Sequence, residues 1–289
     1  MPGGKPCYHQ TEPHNERRHR HDPADRDHPD DFDLDKILAS GQCFRPAKQP
    51  DGWYRFISGR RVLYLLPRGG QQYETQCKAG EWEQFWRGYF DLDRSYAALR
   101  RRLEGQDPFV QSAMDYGKGI RILRQDVWEM LITFIISQRK SIPAIRTAVE
   151  LLAQRYGEAL PEGVCAFPTP EALCRAGEQG LQQCGLGYRT RYVLHAAQQA
   201  AAGRLDLQAM ERLPDEELFA ALLQLEGVGK KVANCVCLFG FGRVGRVPVD
   251  VWIQRLIQEE FGGQDPFPQF GGEAGILQQY LFYYKRSLG

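Results

Sequence analysis

Lys231 and Asp250 have the residue types and the positions that could carry out chemistry. Lys231 lies in the first turn of a predicted helix, where the helix dipole disfavours another positive charge. We therefore expect its amine to lose a proton more readily than the amine of a surface lysine. A neutral lysine amine can act as a nucleophile. Asp250 opens a further predicted helix over residues 251–260, and the simpler alternative is that its carboxylate only caps that helix.

The element that must position Lys231 is a predicted helix-hairpin-helix. An amphipathic run over residues 218–223 ends at a tight turn containing Gly227, Val228 and Gly229, and a second apolar run begins at residue 232. Glycine allows positive φ angles. The first amides of the second helix have no intrahelical partner, which favours the binding of a phosphate there. The alternative is a hairpin that only binds phosphate, which has no use for Lys231 and Asp250.

Composition sets a few limits. The chain has 289 residues, of which 43% are hydrophobic and 25% charged, as in ordinary globular proteins. Its formal net charge of +1 neither supports nor excludes DNA binding. No apolar run is long enough to span a membrane and no signal peptide is present, so we expect no membrane partner and a cytoplasmic protein, nucleoid-associated in a bacterium. The eight cysteines include no Cys-x2-Cys pair, and we expect no bound metal.

The predicted fold class is α+β, with a small N-terminal antiparallel β-sheet domain followed by a mostly α-helical body that contains the helix-hairpin-helix. Aromatic and β-branched runs at residues 53–57, 61–65 and 72–77 are separated by glycine turns and predict the strands of a meander. Residues 80–103 show helical spacing, and Asp126 and Glu129 predict a capping box at the start of a later helix. The predicted parts are a disordered tail (1–31), a β domain with helices (32–105) and a helical domain (106–289, with the hairpin motif at about 215–241).

The Gly-Val-Gly hairpin with Lys231 two residues after it, followed by a Val-Pro-Val-Asp segment that ends at Asp250, resembles the helix-hairpin-helix DNA glycosylase superfamily and its lysine-bearing, bifunctional branch. Residues 40–45 resemble the N-terminal damage-contact segment of the 8-oxoguanine DNA glycosylases, and the resemblance extends by motif and order over roughly residues 32–289. It implies a glycosylase/AP lyase that excises 8-oxoguanine from duplex DNA through a lysine Schiff base and nicks the strand by β-elimination.

The resemblance also implies roles for individual residues. Lys231 stands where the family has its Schiff-base lysine, and Asp250 where it has the catalytic aspartate. The base-binding positions are Gly41, whose carbonyl would accept the hydrogen on N7 of 8-oxoguanine, Gln278 on the Watson–Crick edge, and Cys235 and Phe282 on the two faces of the base. The alternative for Phe282 is core packing in an apolar run.

The implied DNA contacts are Gly227, Val228 and Gly229 at the hairpin, together with Arg139, Tyr188 and Arg189. The chain departs from the family at three of the matching positions. Arg139 replaces an asparagine that fills the gap left by the flipped base, and Ala144 stands where an arginine would read the orphaned cytosine. Trp252 replaces a phosphate-contacting histidine. We therefore hypothesise that the preference for cytosine opposite the lesion is relaxed.

The expected partner is double-stranded DNA that contains a damaged purine, bound by a monomer. No cofactor is expected to be required, although the resemblance implies a monovalent cation between the hairpin carbonyls and a phosphate. Two alternatives remain open at this stage: a helix-hairpin-helix glycosylase for another damaged base, and a DNA-binding module without chemistry.

Overall fold

The computed structural model describes residues 32–289 and the backbone of Arg26–Asp27. The rest of the predicted tail, residues 1–25 and 28–31, lies outside the described residues, and Arg26–Asp27 form a short strand rather than part of a disordered tail. Five antiparallel strands form one sheet in the order β1-β5-β4-β3-β2. The strands are β1 (Arg26–Asp27), β2 (Ala47–Lys48), β3 (Tyr54–Ser58), β4 (Arg61–Gly69) and β5 (Gln72–Gln76).

The predicted antiparallel meander is confirmed in β3, β4 and β5, with strand ends that differ from the prediction by up to four residues. In the β3–β4 hairpin, Tyr54 pairs with Leu65 and Ser58 with Arg61. Phe56 and Leu63 form another pair and are fully buried, because this face of the sheet covers the aromatic core of the N-terminal domain.

The body of the protein is helical, as predicted. Its helices, in chain order, are α1 (Leu34–Ala39), a π-helical turn (Trp82–Trp86), α2 (Arg87–Tyr89), α3 (Tyr96–Leu103), α4 (Pro108–Gly117), α5 (Val127–Ser137), α6 (Ile142–Tyr156), α7 (Pro170–Gln182), a 3-10 turn (Gly187–Arg189), α8 (Thr190–Ala201), α9 (Leu207–Met210), α10 (Asp215–Leu223), α11 (Lys230–Phe239), α12 (Val251–Glu260), a second 3-10 segment (Phe267–Glu273) and α13 (Ala274–Ser287).

The prediction of helix throughout residues 80–103 is wrong in its continuity. The helical stretch that begins at Trp82 ends at Phe90, and Asp91 has a φ angle of +51°, which right-handed helix does not allow. Ser95 then caps α3 by accepting a hydrogen bond from the amide of Ala98 at 3.2 Å. The carboxylate of Asp91 accepts from the side chains of Arg94 and Tyr96, so the interruption lies in its left-handed backbone and in the new helix start that Ser95 provides.

The buried hydrophobic residues form two large cores. One core lies under the sheet and includes Phe32, Phe56, Trp86 and Phe90. The larger core fills the helical body and includes residues from α3 to α13. The side chains of α3 pack in this second core, although the predicted domain boundary at residues 105/106 places α3 with the sheet. None of the helices in the described part of the chain is both long and apolar enough to cross a membrane.

Candidate active site

The hairpin between α10 and α11 packs closely against α8. Gly227 has a φ angle of +80°, and a Cβ atom there would lie 2.4 Å from the ring of Tyr192. A side chain at this position is therefore excluded by both conformation and space. Gly229 begins α11 without a side-chain cap, and the first intrahelical bond runs from the amide of Ala233 to the carbonyl of Gly229 at 2.9 Å. The preceding amides of α11 have no partner within the helix, so they can bind an anion.

Lys231 is the second residue of α11, in the first turn as predicted, and its side chain extends toward the end of α5. The Nζ atom lies 3.4 Å from the hydroxyl oxygen of Ser137 and 5.0 Å from the centre of the Phe134 ring. The Phe134 ring stacks in turn on Phe239 and contacts Phe44 edge-on. The lysine thus lies half-buried on an aromatic floor that joins α5, α11 and the segment next to Gly41.

Asp250 caps α12, as the simpler alternative predicts. Its Oδ1 atom accepts hydrogen bonds from the amides of Trp252 and Ile253, both at 3.0 Å. A carboxylate has about four acceptor positions, so capping does not exhaust it. The catalytic role that the resemblance implies for Asp250 also requires its carboxylate to lie near the amine of Lys231.

The pKa of the Cys235 thiol depends on the charges of both Lys231 and Asp250. Burial raises the pKa of this thiol, the charge and hydrogen bond of Lys231 lower it, and the charge of Asp250 raises it. Cys235 is one helical turn after Lys231, and only 2% of it is exposed. The amine of Lys231 and the carboxylate of Asp250 therefore both lie near enough to the Cys235 thiol to influence its pKa.

Gly41 is fixed from both sides by buried polar groups. Ser40 and Gln42 are fully buried. The carbonyl of Ser40 accepts a hydrogen bond from Nε2 of Gln279 at 2.6 Å, and the side chain of Gln42 donates to the carbonyl of Arg121 at 2.9 Å. These bonds hold the backbone on either side of Gly41, which has a φ angle of +82°.

The structure brings Gly41 and Phe282 together. A Cβ atom at position 41 would lie 3.1 Å from the Phe282 ring, which is half-buried and lies beneath the guanidinium of Arg286. Gln278 lies one turn earlier on α13, on the same helix face. It is 4% exposed, and its Oε1 atom has no hydrogen-bond partner among the described residues. A buried acceptor without a partner is costly unless something else satisfies it.

The turn between α5 and α6 joins these parts to the hairpin. Nε2 of Gln138 donates to the carbonyl of Gly227 at 3.0 Å. Arg139 is exposed and has a φ angle of +50°, an uncommon backbone conformation for a residue that is not glycine. Ile142, at the start of α6, is near Gly41, since its Cδ1 atom lies 3.5 Å from a Cβ built there.

Arg189 and Tyr188 occupy the 3-10 turn before α8, and they differ in exposure. The guanidinium of Arg189 donates from Nε to the carbonyl of Gln138 at 2.8 Å and from Nη1 to the carbonyl of Leu186 at 3.2 Å. It is 7% exposed and lies over the Tyr188 ring, whereas Tyr188 is 53% exposed. Tyr188 is accessible for contact with DNA, while Arg189 already has hydrogen-bond partners within the protein.

The predicted site residues thus form two groups on one set of elements. Lys231 and Cys235 lie one turn apart on α11, with the charge of Asp250 acting on the same thiol. Gly41 and Phe282 lie close together between the start of α6 and α13. The end of α5 and the turn after it connect both groups to the hairpin and to Arg189. The structure therefore places the candidate nucleophile and the candidate base-binding residues around one region of the helical body.

Sequence reasoning missed four polar residues that hold this arrangement together: Gln42, Ser137, Gln138 and Gln279. Their signal is weak but present. Gln278 and Gln279 interrupt an otherwise apolar helix, and buried glutamine side chains require partners. Ser137 and Gln138 end the most apolar helix of the chain, at the point where it reaches Lys231.

In the described part of the chain, no group of three His, Cys, Asp or Glu side chains could hold a metal ion. The candidate site therefore offers an amine, a carboxylate and a thiol, together with unpaired backbone amides. A half-buried amine is suited to nucleophilic attack at an electrophilic carbon, and the amides are suited to a phosphate.

Comparison with protein families gives two adjacent matches. Residues 27–131 match the model described as 8-oxoguanine DNA glycosylase, N-terminal domain. Residues 132–266 match the model of the HhH-GPD superfamily of base excision DNA repair proteins. Together the two matches run from residue 27 to residue 266 and include Gly41, the hairpin, Lys231 and Asp250.

Related proteins are similar over almost the whole chain. The structure of MBOgg1 in complex with a low-affinity DNA ligand is 34% identical, with a TM-score of 0.84 over 90% of this chain and 94% of that one. The 8-oxoguanine glycosylase/lyase of Clostridium acetobutylicum, solved with duplex DNA containing cytosine opposite 8-oxoguanine, is 32% identical, with a TM-score of 0.82 over 90% and 93%. A "Probable N-glycosylase/DNA lyase" of Methanothermobacter thermautotrophicus is 26% identical over 90% of this chain and 95% of its own length.

Proposed function

Because the chain belongs to the HhH-GPD superfamily of base excision DNA repair proteins, in its 8-oxoguanine glycosylase branch, we propose that it excises 8-oxoguanine from duplex DNA through a Schiff base at Lys231 and then nicks the strand. It is accordingly a DNA N-glycosylase with DNA lyase activity, as its relatives are named. The single observation that carries the proposal for Lys231 is the position of its amine, half-buried in the first turn of α11, 3.4 Å from the Ser137 hydroxyl and 5.0 Å from the centre of the Phe134 ring.

Base recognition is proposed to use the second group of residues. Guanine has a lone pair on N7, whereas 8-oxoguanine has a hydrogen there, so a fixed carbonyl at Gly41 attracts the lesion and repels the normal base. The bonds at Ser40 and Gln42 support this role because they prevent the carbonyl from turning away. The unpaired Oε1 of Gln278 is an acceptor that the Watson–Crick edge of the extruded base can satisfy. Phe282 and Cys235 would contact the faces of the base.

The proposed chemistry begins after the damaged nucleotide has left the stack, at a cost of a few kcal/mol. Neutral Lys231 attacks C1′, the bond from C1′ to N9 breaks, and the base leaves with the bonding electron pair and takes up a proton. Asp250 stabilises the positive charge that develops on the sugar. The nitrogen now bonded to C1′ then loses a proton, and the bond from C1′ to O4′ breaks as O4′ takes up a proton, which opens the sugar ring to an iminium. The iminium makes the proton on C2′ acidic, and its removal expels the phosphate attached to C3′. This β-elimination nicks the strand on the 3′ side.

Duplex DNA would be gripped by the hairpin amides at Gly227, Val228 and Gly229 and by the exposed side chains of Arg139 and Tyr188. We propose that a monovalent cation joins hairpin carbonyls to a phosphate there. The carbonyl of Gly227 already accepts one bond from Gln138, and a carbonyl oxygen has two lone pairs, so the hairpin retains acceptor capacity for such an ion. No other cofactor is proposed, and action as a monomer in the cytoplasm remains a prediction.

Borohydride trapping tests the proposal. Reduction should convert the Schiff base into a stable protein–DNA adduct on a duplex that contains 8-oxoguanine. Lys231→Gln should abolish the adduct, whereas Lys230→Gln should retain it, since Lys230 is the adjacent, exposed lysine of the same helix turn. The absence of an adduct with the unaltered protein would favour a DNA-binding module without chemistry. A panel of other damaged bases distinguishes the remaining alternative, because preferential adduct formation on another lesion would overturn the substrate assignment.

A further inference from the structure

Ser137 is the last residue of α5 and contacts the candidate nucleophile directly. The helices α5 and α11 pack against each other, and this places the Ser137 hydroxyl 3.4 Å from Nζ of Lys231. The two residues are 94 positions apart in the sequence. Neither the resemblance nor the residue pattern singled out this serine.

The direction of the hydrogen bond is fixed by a second contact of the same hydroxyl. Ser137 donates its only hydroxyl proton to the carbonyl of Phe134 at 2.8 Å. The oxygen then has only lone pairs left, so it must accept a hydrogen from Lys231. The serine therefore binds an N–H group of the amine and leaves the rest of the nitrogen to other partners.

This direction has a consequence for nucleophilic attack. A neutral amine has two hydrogens and one lone pair, and the lone pair must point at C1′ when the bond forms. Accepting one N–H on Ser137, with the Phe134 ring 5.0 Å below the nitrogen, restricts rotation about the last bond of a long, flexible side chain. Fixing the orientation of a reacting group in advance lowers the barrier to reaction.

We propose that Ser137 is a positioning residue that accepts one N–H of Lys231 and so directs the lone pair of the amine toward the sugar carbon. The inference rests on the proposed function, since it presupposes that Lys231 attacks C1′. Capping of α5 alone does not explain the geometry, because a hydroxyl that serves the helix end needs the bond to Phe134 and has no need of the amine.

The experiment measures single-turnover rates of adduct formation under borohydride on two duplexes, one with 8-oxoguanine and one with an abasic site. Ser137→Ala removes the acceptor, and Ser137→Thr restores it. Ser141→Ala is the matched control, because Ser141 belongs to the same turn, is exposed, and makes no side-chain capping bond at the start of α6. Duplex binding and the thermal midpoint are measured for each variant.

Loss of one neutral hydrogen bond predicts about a three- to tenfold slower rate for Ser137→Ala on both duplexes, with unchanged duplex affinity. Ser137→Thr should recover most of the rate, and Ser141→Ala should match the unaltered protein. Should Ser137→Ala fail to fold, Ser137→Cys, which keeps the shape with a weak acceptor, is expected to be slowed in the same way.

An unchanged rate in Ser137→Ala, or a Ser137→Thr variant as slow as Ser137→Ala, would overturn the positioning role. Slowing that is matched by an equal loss of duplex affinity would also overturn it, because it would indicate damage to the binding surface. These results differ from failure of the proposed function, in which the unaltered protein itself gives no adduct on either duplex.

Discussion

At the scale of single residues, the two arginines of the candidate DNA contact, Arg139 and Arg189, differ in how accessible they are to DNA. The resemblance implies a DNA contact for Arg189, yet its guanidinium donates to the carbonyls of Gln138 and Leu186, and the residue is 7% exposed. Arg139 is exposed, and its backbone is held in the left-handed region beside Gln138. Arg139 is thus the more accessible of the two for an orphaned base.

We therefore predict a graded preference for the opposite base, which Arg139→Ala should flatten. One bidentate arginine contact gives ~1–3 kcal/mol of discrimination between bases, much less than a set of several readers. Single-turnover excision from duplexes with C, A, G or T opposite 8-oxoguanine measures this. A steep profile that accepts only C would contradict the relaxed preference. A profile unaltered by Arg139→Ala would remove Arg139 from base reading.

At the scale of elements, the turn after α5 and the hairpin before α11 behave as one unit. Gln138 donates to the carbonyl of Gly227, and Ser137 accepts from Lys231 on the other side of the same turn. A shift of either segment would therefore move the phosphate-binding amides and the amine together. Close packing of Gly227 on Tyr192 fixes this unit to α8.

Gly227→Ala should weaken both folding and DNA binding. The alanine would have to adopt a φ angle of +80°, and its Cβ would lie 2.4 Å from the Tyr192 ring. The backbone strain and the clash together should cost roughly 1–3 kcal/mol of the free energy of unfolding. Gly203→Ala is the matched control, because Gly203 has a φ angle of +69° with no atom within 4 Å of its Cβ position. Denaturant unfolding and duplex titration measure both effects. Equal losses in the two variants would show that the contact with Tyr192 has no energetic importance.

At the scale of the whole molecule, a buried contact between Arg45 and Glu129 joins the segment after Gly41 to the helical body. The guanidinium of Arg45 lies 3.5 Å from the carboxylate of Glu129 on α5 and 3.5 Å from that of Glu150 on α6. The predicted capping box is therefore half correct. Asp126 accepts from the amide of Glu129 at 2.8 Å, but the Glu129 carboxylate lies against Arg45. The pKa of Glu129 is raised to about 7: burial raises it most, the charge of Arg45 lowers it, and the charge of Asp126 raises it.

This raised pKa predicts a pH dependence of stability. In the unfolded chain Glu129 ionises near its ordinary value of 4.5, whereas in the folded protein it keeps its proton up to about 7. The folded state therefore binds more protons in this range, and the free energy of unfolding should fall as the pH rises from 4.5 to about 7. Glu129→Gln should remove this part of the slope. Parallel curves of unfolding free energy against pH for the two proteins would contradict the prediction.

The sequence by itself determined the features that depend on neighbouring residues. The hairpin glycines, the start of α11 near Lys231, the cap formed by Asp250 and the turns between the strands all follow from interactions over a few positions. The motif spacing also indicated the family that the comparisons show. Continuity of the predicted helix failed at Asp91 because its left-handed backbone ends the helix and Ser95 caps a new one, which apolar periodicity does not record.

Only the tertiary structure decided which distant groups meet. Lys231 and Ser137 are 94 residues apart, Gln138 and Gly227 are 89 apart, and Gln279 and Ser40 are 239 apart. The energy of each of these bonds depends on burial by the packing of several helices, and no local pattern records it. A candidate nucleophile could therefore be named from the sequence, whereas the residues that contact Lys231 and fix Gly41 depend on how the two cores pack together.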